Sequence, residues 1–304
     1  SDFPVTYGKK FSQRIARVGR ARSFKQRVSA FKGFSPGELK PVVPANGEPR
    51  TGLSMGQHCD RMAREWQVSR EDQDQLALAS HLNAARAWDE GFFDEIVTPW
   101  AGVSRDNNVR ADSNIEKLAS LKTVFSTGGE ATMTAANSTP LTDGASAVLL
   151  ASEEWAEKHG LPVQAYLTAG RGAAVDYVND EGLLMAPAIA VAELLQATGL
   201  TLQDFDFYEI HEAFAAQVLA TLAAWESEDY CRDRLGLEQP LGSIDREKMN
   251  VKGGSIAIGH PFAATGARII ANLGQILETE GGGRGLISVC AAGGMGVAAI
   301  MERP

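Results

Sequence analysis

Asn250-Val251-Lys252-Gly253-Gly254-Ser255-Ile256-Ala257-Ile258-Gly259-His260-Pro261-Phe262-Ala263-Ala264-Thr265-Gly266 is the stretch on which the reading of this chain turns. It sets one histidine, His260, in a glycine-rich turn between an apolar, strand-like run and a helix led by Pro261. The glycines at 253, 254 and 259 carry no Cβ, so the backbone there can approach a ligand closely and take angles closed to other residues. The histidine is presented rather than packed. Two other turns answer to it: Tyr208-Glu209-Ile210-His211-Glu212-Ala213-Phe214 upstream and Ser288-Val289-Cys290-Ala291-Ala292-Gly293-Gly294 downstream. The three turns read as one site.

Composition narrows the class of protein. A chain of 304 residues, 44% hydrophobic and 22% charged, can bury a large core, and its length suggests about two domains. No apolar run reaches the ~20 residues of a membrane-spanning helix, so a soluble protein is expected. Cys59, Cys231 and Cys290 are scattered, and neither they nor the five histidines cluster at ligand spacing, so no metal and no disulfide framework are expected. The net charge of -9 hides a basic tract: residues 9–32 hold nine lysines and arginines and no acid. Such a tract suits phosphate, nucleic acid, a membrane surface or an acidic partner, and it has the look of an organelle transit peptide. It is also consistent with a solvated helix whose apolar stripe is Phe11, Ile15 and Val18.

In chain order, a breaker-rich loop ends at Ser54-Met55-Gly56, and a helical pattern begins there. Ser69 and Asp72 cap a second helix that Gly91 stops, with His58 and His81 as ordinary helix residues. Residues 98–125 look irregular. Residues 131–137 and 145–151 read as short buried strands around a turn at 139–144, followed by a short helix over 153–159 and a strand from Pro162. Residues 186–197 make a helix that Gly199 ends, 204–210 a strand, and 212–225 a helix buried through Phe214, Val218 and Leu222. A strand-turn-helix unit through His260 and a last strand at 286–289 complete an alternating α/β pattern.

In such sheets ligands gather beyond the strand ends, where His211, His260 and Cys290 fall. A cysteine at a strand end, followed by a glycine turn with free N–H groups, can exchange a proton beside a developing oxyanion. A thiol and a histidine across a cleft are the parts of thioester or Claisen-type chemistry. Gly294-Met295-Gly296-Val297-Ala298-Ala299 matches a dinucleotide fingerprint by accident, because too few residues follow it for the required helix, strand and ribose-binding acid.

These residues resemble the thiolases. Residues 250–261 are similar to the family's N-x-x-G-G-x-x-x-x-G-H-P signature, and Cys290-Ala291-Ala292-Gly293-Gly294-Met295-Gly296 to its C-x-x-G-G-x-G signature. His211-Glu212-Ala213-Phe214 resembles the N-E-A-F motif with histidine first, the variant of trifunctional-complex β-subunits and related fatty-acid thiolases. The likeness extends through residues 134–144 and Ser54-Met55-Gly56. It implies a layered αβαβα fold with a loop domain over 1–130, the last strands of an incomplete first core domain over 131–160, and a C-terminal core domain over 161–304. It also implies thiolytic cleavage of 3-ketoacyl-CoA, with CoA as a substrate and no cofactor.

By the same resemblance, His260 deprotonates a nucleophilic cysteine, and Cys290 protonates the departing acetyl-CoA enolate. His260 and a water held by His211 form one oxyanion hole, and the N–H of Ala292 contributes to another. Met55 lines the acyl end, while Ala135, Thr139, Ala213 and Phe214 border the pantetheine tunnel. The family's nucleophile precedes the loop domain, so it is expected outside these residues, and the 304 residues alone are expected to be inactive. Cys59, in a helix, and Cys231, in a polar excursion over 226–234, lack a thiolate-stabilising setting. The resemblance further implies a homodimer or dimer of dimers, a hydratase/dehydrogenase partner, and a cytoplasmic or mitochondrial-matrix location. A non-catalytic CoA-binding or scaffold subunit and a biosynthetic acetoacetyl-CoA thiolase are the alternatives.

Overall fold

The structure, a computed structural model, describes residues 6–42 and 47–304. Its internal contacts divide the chain into two units, 1–47 and 48–304. The first unit holds the basic tract as helices Lys9–Arg20 (α1) and Phe24–Ser29 (α2). Neither helix buries a residue. What ties the unit together is Arg14, whose guanidinium donates to Glu38 at 2.7 Å and to the carbonyls of Ala30 and Lys32. Of the expected apolar stripe, Phe11 packs on Tyr7 and Phe34, whereas Ile15 is 49% exposed.

The second unit begins with Met55–Glu65 (α3). Ser54 Oγ accepts from Gln57 N, and the Gln57 side chain accepts from Ser54 N, a capping box that satisfies two end donors at once. Ser69 caps Arg70–Asp89 (α4) in the expected way, and Gly91, at φ 77°, turns the chain out of it. Ile115–Ala119 (α5) and Glu153–Lys158 (α6) follow. Then come the strands Tyr166–Ala174 (β1) and Phe207–Ile210 (β2), which flank Ala186–Thr198 (α7). Ala215–Glu226 (α8), Glu228–Asp233 (α9), Ser255–Ile258 (α10) and Thr265–Thr279 (α11) precede Gly283–Ala291 (β3) and Met295–Arg303 (β4).

The four strands form an open mixed sheet in the order β1-β4-β3-β2, with β2 and β3 parallel and the other pairs antiparallel. Successive β3 side chains point to opposite faces, and two helical layers use this. Leu286 and Cys290 join a cluster with Val191 and Leu194 of α7 and Val218 of α8. Ile287 joins Leu273 and Leu277 of α11. The result is a layered α/β arrangement. α8 is buried along nearly its whole length because α3, α4 and α7 all pack on it. Fully burying each leucine-sized side chain here contributes about 1.5–3 kcal/mol.

Several sequence expectations need correction. Residues 131–137 and 145–151 form no strand: Thr134 makes only an isolated bridge to Thr123, and 145–151 make no strand pairing with any other described segment. Leu149 and Leu150 are correspondingly exposed. The apolar run before His260 is a turn of helix, α10, and not a strand; four apolar residues carry too little periodicity to separate the two. The helix expected from Pro261 starts at Thr265, because Ala263 sits at φ 66° and interrupts helical geometry. The strand expected from Pro162 begins at Tyr166. Beyond the strand expected at 286–289, residues 295–303 form β4, which pairs with both β1 and β3. Cys231 lies in α9, fully buried, with its thiol on the carbonyls of Ala224 and Trp225.

Trp225 joins the two helices on one face of the sheet: it is fully enclosed in α8 and donates from Nε1 to Ala188 O of α7 at 3.3 Å. Trp225→Ala is expected to lower the unfolding free energy by about 3–5 kcal/mol in a denaturant titration, and Trp225→Phe by clearly less.

Candidate active site

The site is built on one buried carboxylate. Glu212 follows β2, and its oxygens accept from Ser80 Oγ of α4 at 2.7 Å, Asn250 Nδ2 at 2.7 Å and Ile256 N at 3.1 Å. Asn250 also exchanges two hydrogen bonds with the backbone of Ile210, both at 2.9 Å, which locks the 250–260 turn to the end of β2. Gly254 lies against this carboxylate so closely that a Cβ would fall 2.2 Å from Glu212 Cδ. At Gly259 the constraint is conformational as well as spatial: its φ is 106°, and a Cβ would meet Thr142 at 2.5 Å. The signature glycines are therefore required by close approach of the turn to its own protein.

Residues 137–141 stitch the two histidine turns together. Ala215 N donates to Asn137 O, Thr139 N to Ala213 O, Thr139 Oγ1 to Ser255 O at 2.6 Å, and His260 N to Pro140 O. The imidazoles of His211 and His260 consequently lie with ring centroids 4.5 Å apart. His211 is buried, its Nδ1 2.8 Å from Ser255 Oγ; its Nε2 is enclosed and has no hydrogen-bond partner among the described residues. His260 is partly buried, its Nδ1 2.6 Å from Thr265 Oγ1. Thr265 also reaches Pro261 O at 3.4 Å. Burial, then the Arg268 charge, lowers the His260 pKa to about 4; burial, then His260 and Arg268, drives that of His211 well below its ordinary value. Both rings are neutral at neutral pH.

Cys290 reaches the same edge of the sheet because β2 and β3 are parallel: Ile210 pairs with Ser288, and His211 N donates to Ser288 O. The Cys290 thiol is buried and lies 3.6 Å from Gln217 Oε1, and burial pushes its pKa up to about 12. It is a held proton, not a thiolate. Met55, Ala213, Phe214 and Cys290 share one apolar cluster, with Phe125 edge-on to Phe214 at 5.7 Å. Thr139 is in the stitching segment. Ala135 and Ala292, by contrast, are exposed, Ala135 before that segment and Ala292 in the turn between β3 and β4.

The structure adds residues that the sequence reading missed. Ser255, Thr265 and Gln217 each hold a site side chain by one hydrogen bond. Arg268 donates to Gly259 O and to Ser255 Oγ, both at 2.7 Å. Its signal was present in the sequence, for it is the single charged residue between Pro261 and Leu277, and arginine is seldom buried unless it is paired. Cys59 shares a cluster with Cys290, and its pKa is raised foremost by burial and then by that neighbour, which opposes thiolate formation. No group of three or more His, Cys, Asp or Glu among the described residues could hold a metal ion.

Glu209, on β2, supplies a pH test. Burial pushes its carboxyl up to about 8, with Arg268 pulling it back and Glu212 adding to the rise. The folded chain holds this proton where the unfolded chain has lost it, so stability falls as pH rises from the ordinary carboxyl range toward 8. Glu209→Gln removes that loss. Its stability relative to wild type is expected to rise between pH 5 and pH 8 by on the order of 1–3 kcal/mol in denaturant midpoints. A difference that stays flat across this range would contradict a buried, protonated Glu209.

Comparison with known proteins agrees with this arrangement. The profile of the thiolase N-terminal domain matches residues 44–154, and that of the thiolase C-terminal domain matches residues 162–303. A 3-ketoacyl-CoA thiolase of Yersinia enterocolitica is 43% identical over 308 aligned positions, covering 99% of this chain and 70% of that protein. Among solved structures, the Bacillus anthracis acetyl-CoA acetyltransferase superposes with a TM-score of 0.70 at 34% identity, covering 84% of this chain and 62% of that one. The human mitochondrial 3-ketoacyl-CoA thiolase in complex with CoA gives a TM-score of 0.70 at 28% identity, covering 85% and 61%. The chain thus spans under two thirds of the solved structures it matches and somewhat more of the curated relative. Two family profiles cover most of the residues, on the fold and around the histidine turns described above, and the chain belongs to the thiolase family.

Proposed function

We propose that this chain supplies the acid-base and oxyanion half of a 3-ketoacyl-CoA thiolase site, which cleaves a 3-ketoacyl-CoA with CoA to acetyl-CoA and a shortened acyl-CoA. The observation that carries the reading is the pairing of two neutral histidines, ring centroids 4.5 Å apart, at the end of the sheet where Cys290 lies in the last residues of β3. With the Thr265 hydroxyl directed at Pro261 O, its oxygen accepts from His260 Nδ1–H and leaves the Nε2 lone pair free to take a proton. A base must be neutral to act, and His260 is.

The steps then balance as follows. His260 takes the proton of the attacking cysteine thiol, whose sulfur bonds to the keto carbon. The bond between C2 and C3 of the substrate breaks, and its electrons pass to the acetyl-CoA enolate. Cys290 gives its S–H proton to the enolate carbon, a role suited to a thiol whose pKa is raised to about 12. The Cys290 thiolate so formed takes the proton of incoming CoA, whose sulfur accepts the acyl group. The enzyme thiolate leaves and recovers its proton from His260. Burial at Cys59 and Cys231 argues against either as attacking sulfur, so we place that thiol outside these 304 residues and expect them to be inactive alone in the full cycle.

Within this reading residues 1–130 form the loop domain, 131–160 belong to the first core domain and 161–304 form the second. Met55 lines the acyl end, Ala135, Thr139, Ala213 and Phe214 border the pantetheine path, and the N–H of Ala292 contributes to a second oxyanion hole. CoA is a substrate, not a cofactor. The assembly is a dimer or dimer of dimers and acts in fatty-acid breakdown in the cytoplasm or the mitochondrial matrix, alongside a hydratase/dehydrogenase partner. Similarity to the Yersinia 3-ketoacyl-CoA thiolase supports the degradative direction over acetoacetyl-CoA synthesis.

Proton exchange at C2 of acetyl-CoA tests the reading without the attacking thiol, because the small thiolate fraction of Cys290 can take the C2 proton while the oxyanion donors hold the enolate. In D2O, followed by mass spectrometry, the chain is expected to accelerate deuterium uptake, and Cys290→Ala to lose about 10²-fold or more of that rate. Binding of acetyl-CoA without exchange would favour a non-catalytic CoA-binding subunit instead.

A further inference from the structure

His211 and His260 have their Nδ1 atoms held by one helix in two different ways. Thr265, at the first turn of α11, touches His260 directly, whereas Arg268, three residues on, reaches His211 through Ser255. Thr265 has a carbonyl, Pro261 O, to which its own proton can go. Ser255 has no such outlet.

A guanidinium has only donors, so the 2.7 Å contact from Arg268 Nη2 makes Ser255 Oγ an acceptor. Ser255 is 1% exposed, and the one further partner its Oγ has among the described residues is His211 Nδ1 at 2.8 Å. Its hydroxyl proton therefore has a single destination. Burial keeps His211 neutral, with one N–H to place. With that proton on Nδ1, the Ser255 hydroxyl and the His211 Nε2 lone pair would both be left unsatisfied in an enclosed space. With it on Nε2, only the Nε2–H lacks a partner, as the enclosed, unpartnered Nε2 shows. One orphaned group against two biases the tautomer roughly tenfold or more.

We infer that Arg268, acting through Ser255, is a positioning residue that fixes His211 as the Nε2–H tautomer, a hydrogen-bond donor aimed into the site at the substrate oxygen. The same guanidinium holds Gly259 O at 2.7 Å, beside His260, so one side chain orients a backbone carbonyl and a histidine of opposite duty. His260 serves through a lone pair, and His211 through a proton. The buried positive charge faces Glu209, Glu212 and Asp106, and of these the Glu212 carboxylate is itself held by Ser80, Asn250 and Ile256. The assignment of the donor to a substrate oxygen rests on the thiolase reading; the tautomer itself does not.

The test uses the intact chain labelled with ¹⁵N in histidine, with ring nitrogens assigned by NMR in wild type, Ser255→Ala and Arg268→Met. Wild type is expected to show His211 protonated at Nε2, and Ser255→Ala to move the Nδ1–H to Nε2–H ratio by about tenfold toward Nδ1–H. Arg268→Met should shift it in the same direction, with Arg268→Lys restoring most of the wild-type ratio. His211 protonated at Nδ1 in wild type overturns the inference, and this outcome does not require any variant to fold. A ratio unchanged in both Ser255→Ala and Arg268→Met overturns it too. If the ratio moves but C2 exchange of acetyl-CoA is equal in wild type and Ser255→Ala, the positioning stands and the thiolase reading fails.

Discussion

The Glu212 carboxylate is the constraint on which the site depends. Enclosing a charge is costly, and burial does raise its pKa, but three donors, one from α4 and two from the 250–260 turn, offset that cost. Ser80 ties it to α4, Asn250 to the end of β2 and Ile256 to the His260 turn. A side chain so fully bonded cannot move aside, so the turn that wraps it must be glycine at 254. The sheet, the helix α4 and the His260 turn are in this way fixed to one another by a single buried ion, and the histidines inherit their positions from it.

Electrostatics then divides labour among groups that are chemically alike. Two histidines share an environment that keeps both neutral, yet their Nδ1 partners differ: a threonine with an alternative acceptor, and a serine pinned by an arginine. The first arrangement leaves a lone pair at Nε2, the second a proton. Cys290 is kept as a thiol by the same lack of water that keeps the rings uncharged, with Gln217 Oε1 as its acceptor. A low-dielectric site with few charges makes each remaining hydrogen bond count for more than it would in water. Arg268, which donates to Gly259 O and Ser255 Oγ, adds its charge to the burial that holds the histidine pKa values down.

The sequence made the family, the α/β class and the long helices legible, because α7 and α8 are rich in apolar residues, α4 opens on the Ser69 cap, and Gly91 and Gly199 mark clear stops. It misled wherever structure depends on a distant partner. Residues 131–137 and 145–151 look like strands because they are apolar and β-branched, but a strand exists only beside another, and theirs is not among the described segments. β4 was overlooked although it is central, since Gly294-Met295-Gly296 drew attention as a rejected fingerprint and not as a hairpin entry. The histidines and Cys290 announced themselves by their turns. Ser255, Thr265 and Arg268 did not, because a hydroxyl or guanidinium acquires its role only when folding brings it to an imidazole.

The central claim is spatial: His211, His260 and Cys290 face one substrate oxygen and its neighbouring carbon. A crystal structure of the chain with acetyl-CoA tests it most directly. The account predicts the thioester oxygen within hydrogen-bond distance, up to about 3.2 Å, of His211 Nε2, with His260 Nε2 beside the thioester carbon, C2 turned toward Cys290 Sγ and the pantetheine running past Phe214. A thioester bound with its oxygen away from the histidine pair, or with Cys290 on the far side of the sheet from it, would contradict the account.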